Sequence, residues 1–338
     1  MKKRILYVGN KSGVGNATIT TIDTLSEQLK IEGFKLITTS SKKNKAWRLL
    51  DMLNTVYKYR NETDIVLIDT YSTLNFKYAV AVASLCRKFN IPYIPILHGG
   101  NLPERLKKSP KASTKLFQKS KVNVAPSSYL LEAFKAEGYH NTMYIPNTIK
   151  IENYPFLQRE IVTAKLLWVR SFSKIYNPQL AIDVLKQLVY EGVQASLTMV
   201  GPEKDGSQDH CIKYAEQYNL KVNFTGKLTK NQWIEESKKH DIFINTTNFD
   251  NMPVSVIEAM ALGLPVVSTN VGGLPHLIKN NETGILIKPN SITDFVIAIK
   301  NLMSENDKAV RLSINARNYS ELFDWQQVKE KWVSILKD

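Results

Sequence analysis

Short apolar runs alternate with helix-like stretches along both halves of the chain, and this alternation constrains the fold more than any other feature. The first run is ILYVG at Ile5–Gly9, and the second half opens with a similar run at Lys165–Val169. Uninterrupted apolar runs of this length are typical of strands that are covered on both faces, as in parallel sheets. The pattern predicts an α/β protein in which helices flank parallel sheets.

The pattern resolves into two sets of elements. The predicted strands are Ile5–Gly9, Phe34–Thr38, Ile65–Asp69, Tyr93–His98, Val122–Pro126, Met143–Pro146, Lys165–Val169, Ala195–Gly201, Val222–Gly226, Ile242–Thr246, Pro265–Thr269 and Gly284–Ile287. The predicted helices are Ile19–Glu32, Lys45–Arg60, Tyr78–Phe89, Ser127–Glu137, Pro178–Glu191, Gln208–Tyr218, Lys230–Lys239, Pro253–Leu262, Leu274–Lys279 and Ser291–Ser304. Two doubly wound domains in series predict a central cleft faced by the carboxyl ends of both sheets, where such folds bind ligands.

Charge is distributed unevenly between the two halves. Residues 1–150 hold 24 Lys and Arg against 10 Asp and Glu, whereas the remaining residues hold 21 of each, so the first half carries the whole net charge of +14. A one-sided positive charge favours an anionic partner for that half: a membrane surface, a phosphorylated acceptor or nucleic acid. We expect no nucleic-acid partner, because no nucleic-acid-binding motif is present.

Two segments of the first half bear on that partner. The basic stretch Arg105–Lys121, expected to be a loop, favours contact with anionic lipid or a lipid-diphosphate acceptor. The amphipathic stretch Lys45–Arg60 carries Trp47, Leu50, Leu53 and Tyr57 at helical spacing, and we expect these side chains to pack against the domain's own sheet.

The remaining composition indicates a soluble or peripheral cytoplasmic protein. The two cysteines, Cys86 and Cys211, are far apart and form no CxxC pattern, which fits a reducing compartment and no zinc site. No apolar run approaches the roughly 18 residues that a transmembrane helix needs. No Asp-x-Asp motif or His/Cys cluster is present, so we expect no metal and no cofactor.

The most informative segment runs from Asn245 to Gly273. A polar loop carrying Asp250 follows a predicted strand and leads into a helix whose first residue is expected to be Pro253. A helix N-terminus offers free amides and partial positive charge to a diphosphate. Glu258 lies eight positions after Asp250, so the two carboxylates can bind hydroxyl groups on either side of a phosphate. The Gly272-Gly273 pair allows close approach of the backbone.

This segment resembles glycosyltransferase family 4, the retaining group 1 enzymes with a two-domain GT-B fold, as in bacterial surface polysaccharide biosynthesis. The family has a Glu-x7-Glu motif followed by Ala-Met-Ala-x-Gly-x-Pro-Val-Val and Gly-Gly; here Asp250 stands at the first Glu and Glu258 at the second. The resemblance implies that Glu258 binds the donor ribose and that Asp250 contacts the donor sugar. It implies donor contacts from the loop after Asp250: Asn251, Met252, Pro253 and Val254.

Further segments match the same family. Arg170 stands at the family's diphosphate-binding Arg, while either Lys174 or Tyr176 occupies the position of its Lys. Strand-end turns that frame the nucleotide in this family are matched by Gly201, Gly226, Lys227 and Leu228.

In the first half, Gly13 and Gly15 match the glycine-rich loop that faces the donor diphosphate, and His98 matches a histidine near the donor sugar's reactive carbon. The stretch is not a Walker A loop, since no Gly-Lys-Ser/Thr closes it. The resemblance predicts an acceptor-binding domain over 1–155, a nucleotide-sugar domain over 156–318, and a helix over 319–338 that crosses back to the first domain.

The predicted function is transfer of a hexosyl or N-acetylhexosaminyl group from a nucleoside-diphosphate sugar, a UDP-sugar before others, to a glycan or a lipid-diphosphate-linked acceptor. Catalysis would rest on Arg170, Asp250 and His98, without metal. An anionic membrane surface is a further expected partner. Two alternatives stay open: a nucleotide-sugar 2-epimerase of the same fold, and a non-catalytic glycan-assembly protein.

Overall fold

The chain divides into two units, each built on a parallel sheet. The computed structural model describes residues 3–11, 20–42 and 44–337. One unit comprises Met1–Asn147 together with Val328–Asp338, and the other comprises Thr148–Gln327. Every strand pairing between named strands in these ranges is parallel, so the predicted α/β class is confirmed.

In the first unit, over the described ranges, the sheet has the order β2-β1-β3-β4-β5-β6. Its strands are β1 (Arg4–Val8), β2 (Lys35–Thr39), β3 (Ile65–Thr70), β4 (Tyr93–Leu97), β5 (Asn123–Ala125) and β6 (Thr142–Tyr144). Its helices are α1 (Thr21–Ile31), α2 (Lys45–Lys58), α3 (Asn75–Lys88), α4 (Leu102–Lys108), α5 (Pro110–Ser113) and α6 (Ser128–Ala136), with a π-helical turn at Thr114–Gln118.

Side-chain caps fix where two of these helices begin. Asn44 precedes α2 and its side-chain oxygen accepts hydrogen bonds from the amides of Ala46 and Trp47. The hydroxyl of Ser127 accepts from the amide of Leu130 at the start of α6. Each cap satisfies amides that have no acceptor within their own helix.

In the second unit, the sheet of the described residues has the order β12-β11-β10-β7-β8-β9. Its strands are β7 (Ala164–Val169), β8 (Ala195–Val200), β9 (Val222–Gly226), β10 (Ile242–Asn245), β11 (Val266–Thr269) and β12 (Ile285–Ile287). Its helices are α7 (Pro178–Tyr190), α8 (Ser207–Gln217), α9 (Lys230–Ser237), α10 (Val254–Ala261), α11 (Leu274–Leu277), α12 (Ile292–Ser304) and α13 (Asn306–Ser320). The last helix is α14 (Trp325–Lys337), and its residues from Val328 onward belong to the first unit.

The central strand β7 shows why the second sheet is apolar on both faces. Leu166 and Trp168 belong to a core that includes residues of α7 and α12. Leu167, which points to the opposite face, belongs to a core with residues of α10 and α13. Because helices cover both faces, the strand has no face that favours polar residues.

Every predicted strand overlaps an observed strand, and the helices differ most in three places. Helix α3 begins at Asn75 rather than Tyr78. The segment expected to be a basic loop is largely helical, because Leu102, Leu106, Leu116 and Phe117 are buried in the core and hold it against the unit. Helix α13 was not predicted, since its buried face is mostly Ala and Ser and gives little apolar periodicity.

Each cysteine lies in the core of its own unit. Cys86 and Cys211 are both buried free thiols, and burial raises the pKa of each to about 12. Across the part of the chain that the structure describes, no helix is long and apolar enough to cross a membrane.

Candidate functional site

The predicted site residues of the second unit lie where its strands end. Arg170 follows β7, Gly201 follows β8, Gly226 ends β9, and Asp250 lies in the loop between β10 and α10. Because the strands are parallel, these carboxyl ends share one edge of the sheet. The fold therefore brings residues that are far apart in sequence to the same edge.

Arg170 and Asp250 form an ion pair at this edge, and the side chain of each is 16% exposed. The guanidinium also lies 4.6 Å from the ring centroid of Tyr176, within cation–π distance. Burial lowers the pKa of Arg170, while the charge of Glu258 acts in the opposite direction. A half-buried guanidinium held by one carboxylate and one ring keeps donors for an anionic ligand.

Glu258 lies on α10 and is 2% exposed. Its Oε1 accepts a hydrogen bond of 2.7 Å from the hydroxyl of Tyr154 and forms an ion pair with Lys230. Burial, together with the neighbouring Glu258, raises the pKa of Tyr154, so Tyr154 stays a donor. Both contacts use the same carboxylate oxygen, which orients the other, Oε2, for a further partner.

The first turn of α10 supplies hydrogen-bond donors. Pro253 was predicted as the first helical residue, and this is wrong: with ψ of 115° it is the N-cap, and the helix begins at Val254. Its carbonyl oxygen accepts from the amide of Val256 at 3.1 Å. The hydroxyl of Ser255 is buried and has no hydrogen-bond partner among the described residues. The first amides of a helix are a favourable seat for phosphate oxygens, and a free hydroxyl adds a donor there.

Two glycine positions let the backbone segments of the site pack closely. The amide of Gly273 donates to the carbonyl of Asp250 at 2.9 Å, and a Cβ at Gly273 would overlap the carbonyl of Asn251. Gly201 has a φ of +153°, and a Cβ there would overlap the carbonyl of Arg170. Both glycines therefore fix the backbone of residues that carry the carboxylate and the guanidinium.

We expect Gly201→Ala to lower the free energy of unfolding by about 3 kcal/mol, because the added methyl group meets backbone that cannot rotate away. The matched control is Gly192→Ala, where φ is +78° but nothing lies within 4 Å of the added Cβ; it should cost about 1 kcal/mol. Urea unfolding of the three proteins measures both values. Equal losses for the two variants would show that the close approach to Arg170 contributes nothing.

The other predicted residues of the second unit lie in different surroundings. Lys174 is exposed and lines a separate pocket of about 540 Å³ with Asp205 and His210. The residue that lies beside Arg170 is Tyr176. Lys227 is exposed on the turn after β9. The remaining predicted contacts are buried or partly packed against a core: Leu228, Asn251, Met252 and Val254.

In the first unit, His98 follows β4 and belongs to a buried polar group that the sequence analysis did not identify. Its Nε2 lies 2.7 Å from Oδ1 of Asp69, and the hydroxyl of Tyr7 donates to the same oxygen at 2.8 Å. Burial, with Asp69 second, raises the pKa of Tyr7 well above its usual range. An ionised carboxylate only accepts hydrogen bonds, so Nε2 carries the proton and Nδ1 is left for another partner.

Two predicted residues of the first unit have no structural counterpart to report. Gly13 and Gly15 lie outside the described residues. Within residues 3–11, 20–42 and 44–337, no three His, Cys, Asp or Glu side chains are grouped so that they could hold a metal ion. Tyr154, Lys230 and Asp69 were not predicted as site residues from the sequence. The one pattern that could have indicated a site residue was the position of Asp69 at the end of a predicted strand.

The sequence of the second unit is similar to those of known glycosyltransferases. Residues 161–319 match the family described as glycosyl transferases group 1. A D-inositol 3-phosphate glycosyltransferase of Rhodococcus jostii is 24% identical over 160 residues, which are 45% of this chain and 35% of that protein. A UDP-Gal:alpha-D-GlcNAc-diphosphoundecaprenol alpha-1,3-galactosyltransferase of Escherichia coli is 26% identical over 192 residues, 52% of this chain and 48% of that protein. The matches thus span less than half of these two relatives.

A solved structure is similar over the whole chain. HepE from Anabaena, crystallised with UDP and glucose, superimposes with a TM-score of 0.79 at 19% identity and covers 99% of this chain and 100% of its own. This likeness confirms the predicted GT-B fold.

Proposed function

We propose, from the premise that residues 161–319 belong to the group 1 glycosyltransferases, that this protein transfers a sugar from a nucleoside-diphosphate sugar to a glycan or lipid-linked acceptor. One observation carries the proposal: Arg170 and Asp250 of the family motifs pair at the carboxyl edge of one sheet, and the loop that carries Asp250 leads into α10, whose Glu258 is close enough to Arg170 to raise its pKa. A guanidinium and a helix N-terminus bind phosphate, and the two carboxylates accept hydrogen bonds from sugar hydroxyls.

In the proposed complex each group has one task. The diphosphate lies between Arg170 and the first turn of α10, where Ser255 donates a further hydrogen bond. Oε2 of Glu258 accepts from the ribose hydroxyls, and Asp250 from the donor sugar. As the bond to the sugar breaks, negative charge grows on the leaving diphosphate, and Arg170 with the helix amides stabilises it. We propose retention of the anomeric configuration, as in the family.

Lys230 supplies the second cation of the site. Tyr176, one of the two candidates for the family's lysine position, lies beside Arg170 and carries no positive charge. The side chain of Lys230 is 45% exposed, and its ammonium group contacts Glu258. A flexible lysine stem can carry that charge from the carboxylate to a bound phosphate, so Lys230 compensates for the missing cation.

For the acceptor we propose a glycan or a lipid-diphosphate-linked glycan in surface polysaccharide biosynthesis, handled at the cytoplasmic face of a membrane. The exposed basic residues of the segment Arg105–Lys121 are candidates for its phosphate groups: Lys107, Lys108, Lys111, Lys115, Lys119 and Lys121. The named relatives are transferases, which favours transfer over the epimerase alternative.

A panel of nucleotide-sugars without added metal tests the donor site by thermal stabilisation. We expect one nucleoside-diphosphate sugar to raise the melting temperature of the wild type by mass action. Glu258→Gln should weaken its affinity about 10- to 100-fold, because a charged acceptor of the ribose hydroxyls is lost. The glutamine oxygen still accepts from the hydroxyl of Tyr154, so the variant should fold.

The matched control is Glu191→Gln, which removes the same charge from an exposed ion pair of the second unit, Lys300 to Glu191 at 3.0 Å. We expect this variant to bind the donor like the wild type. If no nucleotide-sugar stabilises the wild type, or if both variants bind equally well, the donor site is misassigned and the assembly-protein alternative gains support.

A further inference from the structure

Helix α2 presents an apolar face to the outside. Trp47, Leu50 and Tyr57 are 66%, 55% and 53% exposed, although the sequence analysis expected all three to pack against the sheet. That expectation is wrong for these three and right for Leu53, which packs partly against the core beside the buried Met52 and Val56. At 100° per residue, the three exposed side chains fall within one sector opposite the buried pair.

Positive charge borders this face. Lys58 is exposed next to Tyr57, and the guanidinium of Arg60 lies 4.2 Å from the ring centroid of Tyr57. Lys88 is also exposed and lies 6.0 Å from the ring centroid of Phe89, which is itself 5.9 Å from that of Tyr57. Within α2 the acidic residue is Asp51, whose carboxylate accepts a hydrogen bond from the hydroxyl of Thr39 at 2.9 Å. The apolar face therefore has a basic margin, and it lies on the half of the chain that carries the net charge of +14.

We propose that the outward face of α2, defined by Trp47, Leu50 and Tyr57 with Lys58 and Lys88 at its margin, docks the first unit onto an anionic lipid bilayer. Tryptophan and tyrosine rings favour the headgroup level, where an apolar body and a polar tip are both satisfied. The lysine stems lie along the apolar layer while their ammonium groups reach the lipid phosphates. This partner goes beyond the proposed transfer reaction and uses none of the donor-site residues.

Charge also argues against a second copy of this chain as the occupant. A symmetric dimer through this face would bring each patch against its own equivalent, because a twofold interface is self-complementary. The lysines at its margin would then face like charges, which opposes association. An anionic bilayer offers the opposite charge together with an apolar interior.

The chain contains a built-in reporter for this surface. Of its five tryptophans, Trp47 is 66% exposed and each of the others, Trp168, Trp233, Trp325 and Trp332, is at most 3% exposed. Full-length protein is mixed with vesicles of phosphatidylcholine alone or with added phosphatidylglycerol. We expect a blue shift of the emission, and quenching by brominated acyl chains, with the anionic vesicles. Both signals should fall as salt is added, since exposed charges are screened.

Variants assign the signal to the face. Trp47→Phe should keep the vesicle affinity in sedimentation but lose the fluorescence change. Leu50→Ser and Tyr57→Ser should each weaken the affinity roughly fivefold or more, because less apolar area enters the lipid. The Lys58→Glu/Lys88→Glu double variant should lose at least about tenfold. The matched control is Tyr190→Ser, since Tyr190 is 85% exposed on the second unit; it should bind like the wild type.

Other results overturn the docking proposal. These are equal binding to neutral and anionic vesicles, unchanged binding by all the α2 variants, or a blue shift that follows protein concentration without vesicles, which would identify a second copy as the occupant. Nucleoside-diphosphate binding is measured on the same variants and should not change. Loss of vesicle binding alone, or of nucleotide binding alone, therefore separates this proposal from the proposed function.

Discussion

Arg170→Gln is expected to lower the turnover of the donor about 100- to 1000-fold, because in the proposed reaction the guanidinium stabilises charge that develops on the leaving diphosphate. The affinity for the nucleoside diphosphate should fall about tenfold, while that for the bare nucleoside should stay unchanged. Steady-state kinetics, together with calorimetric titration of nucleoside and nucleoside diphosphate, measures the three quantities. The difference between the two ligands reports contact with the phosphates.

Two further variants control this result. Arg311→Gln removes the same charge from an exposed position on α13 of the same unit and should behave like the wild type. Arg170→Lys keeps the charge but loses the planar set of donors, so its turnover should lie between those of the wild type and the glutamine variant. Equal losses for nucleoside and nucleoside diphosphate would mean that Arg170 supports the shape of the site and does not contact phosphate.

The ion pair between Arg170 and Asp250 leads to a related prediction for Asp250. In the free protein the carboxylate competes with any incoming phosphate for the guanidinium. Asp250→Asn removes the competitor, so nucleoside-diphosphate affinity should rise even as turnover of the sugar donor falls. A combined rise in affinity and fall in turnover is not expected from a variant that merely disturbs folding.

The fold could be predicted because strand patterning is local. Runs such as Ile65–Thr70 are buried along their whole length, and the sequence shows this without tertiary information. Segments whose burial depends on few or small side chains were missed. Helix α13 buries mostly Ala and Ser, and the basic segment before Lys121 is held by a few apolar anchors among exposed lysines.

The site residues also fall into those that local sequence predicts and those that it does not. Arg170, Asp250 and Glu258 stand in motifs whose spacing is visible in the sequence, and the structure brings Arg170 and Asp250 together at one edge of a sheet, with Glu258 on the helix that follows. Tyr154 and Lys230 could not be predicted, because they reach Glu258 from 104 and 28 positions away. Whether α2 turns its large apolar residues inward or outward was also undetermined, since Met52 and Val56 suffice to anchor it.

Asp69→Asn is expected to lower turnover about 10- to 100-fold while nucleotide affinity stays unchanged. Asp69 is 6% exposed, and its Oδ1 lies within hydrogen-bonding distance of both His98 and Tyr7. The carboxylate fixes the tautomer of His98, and an amide of the same size can present an N–H to the ring instead. With His98 in its predicted catalytic role, Asp69 acts as a positioning residue through His98 and not on the substrate itself.

The tautomer provides a readout that a purely structural role would not move. Nitrogen NMR of the wild type should show the proton of His98 on Nε2, and Asp69→Asn should shift part of the population to Nδ1. Tyr7→Phe removes the second hydrogen bond to Oδ1 but keeps the buried ring, so it should leave the tautomer unchanged and reduce turnover less. If Asp69→Asn alters the tautomer without slowing transfer, His98 has no part in the chemistry. If turnover falls while the tautomer is unchanged, the carboxylate acts by another route than the orientation of the ring.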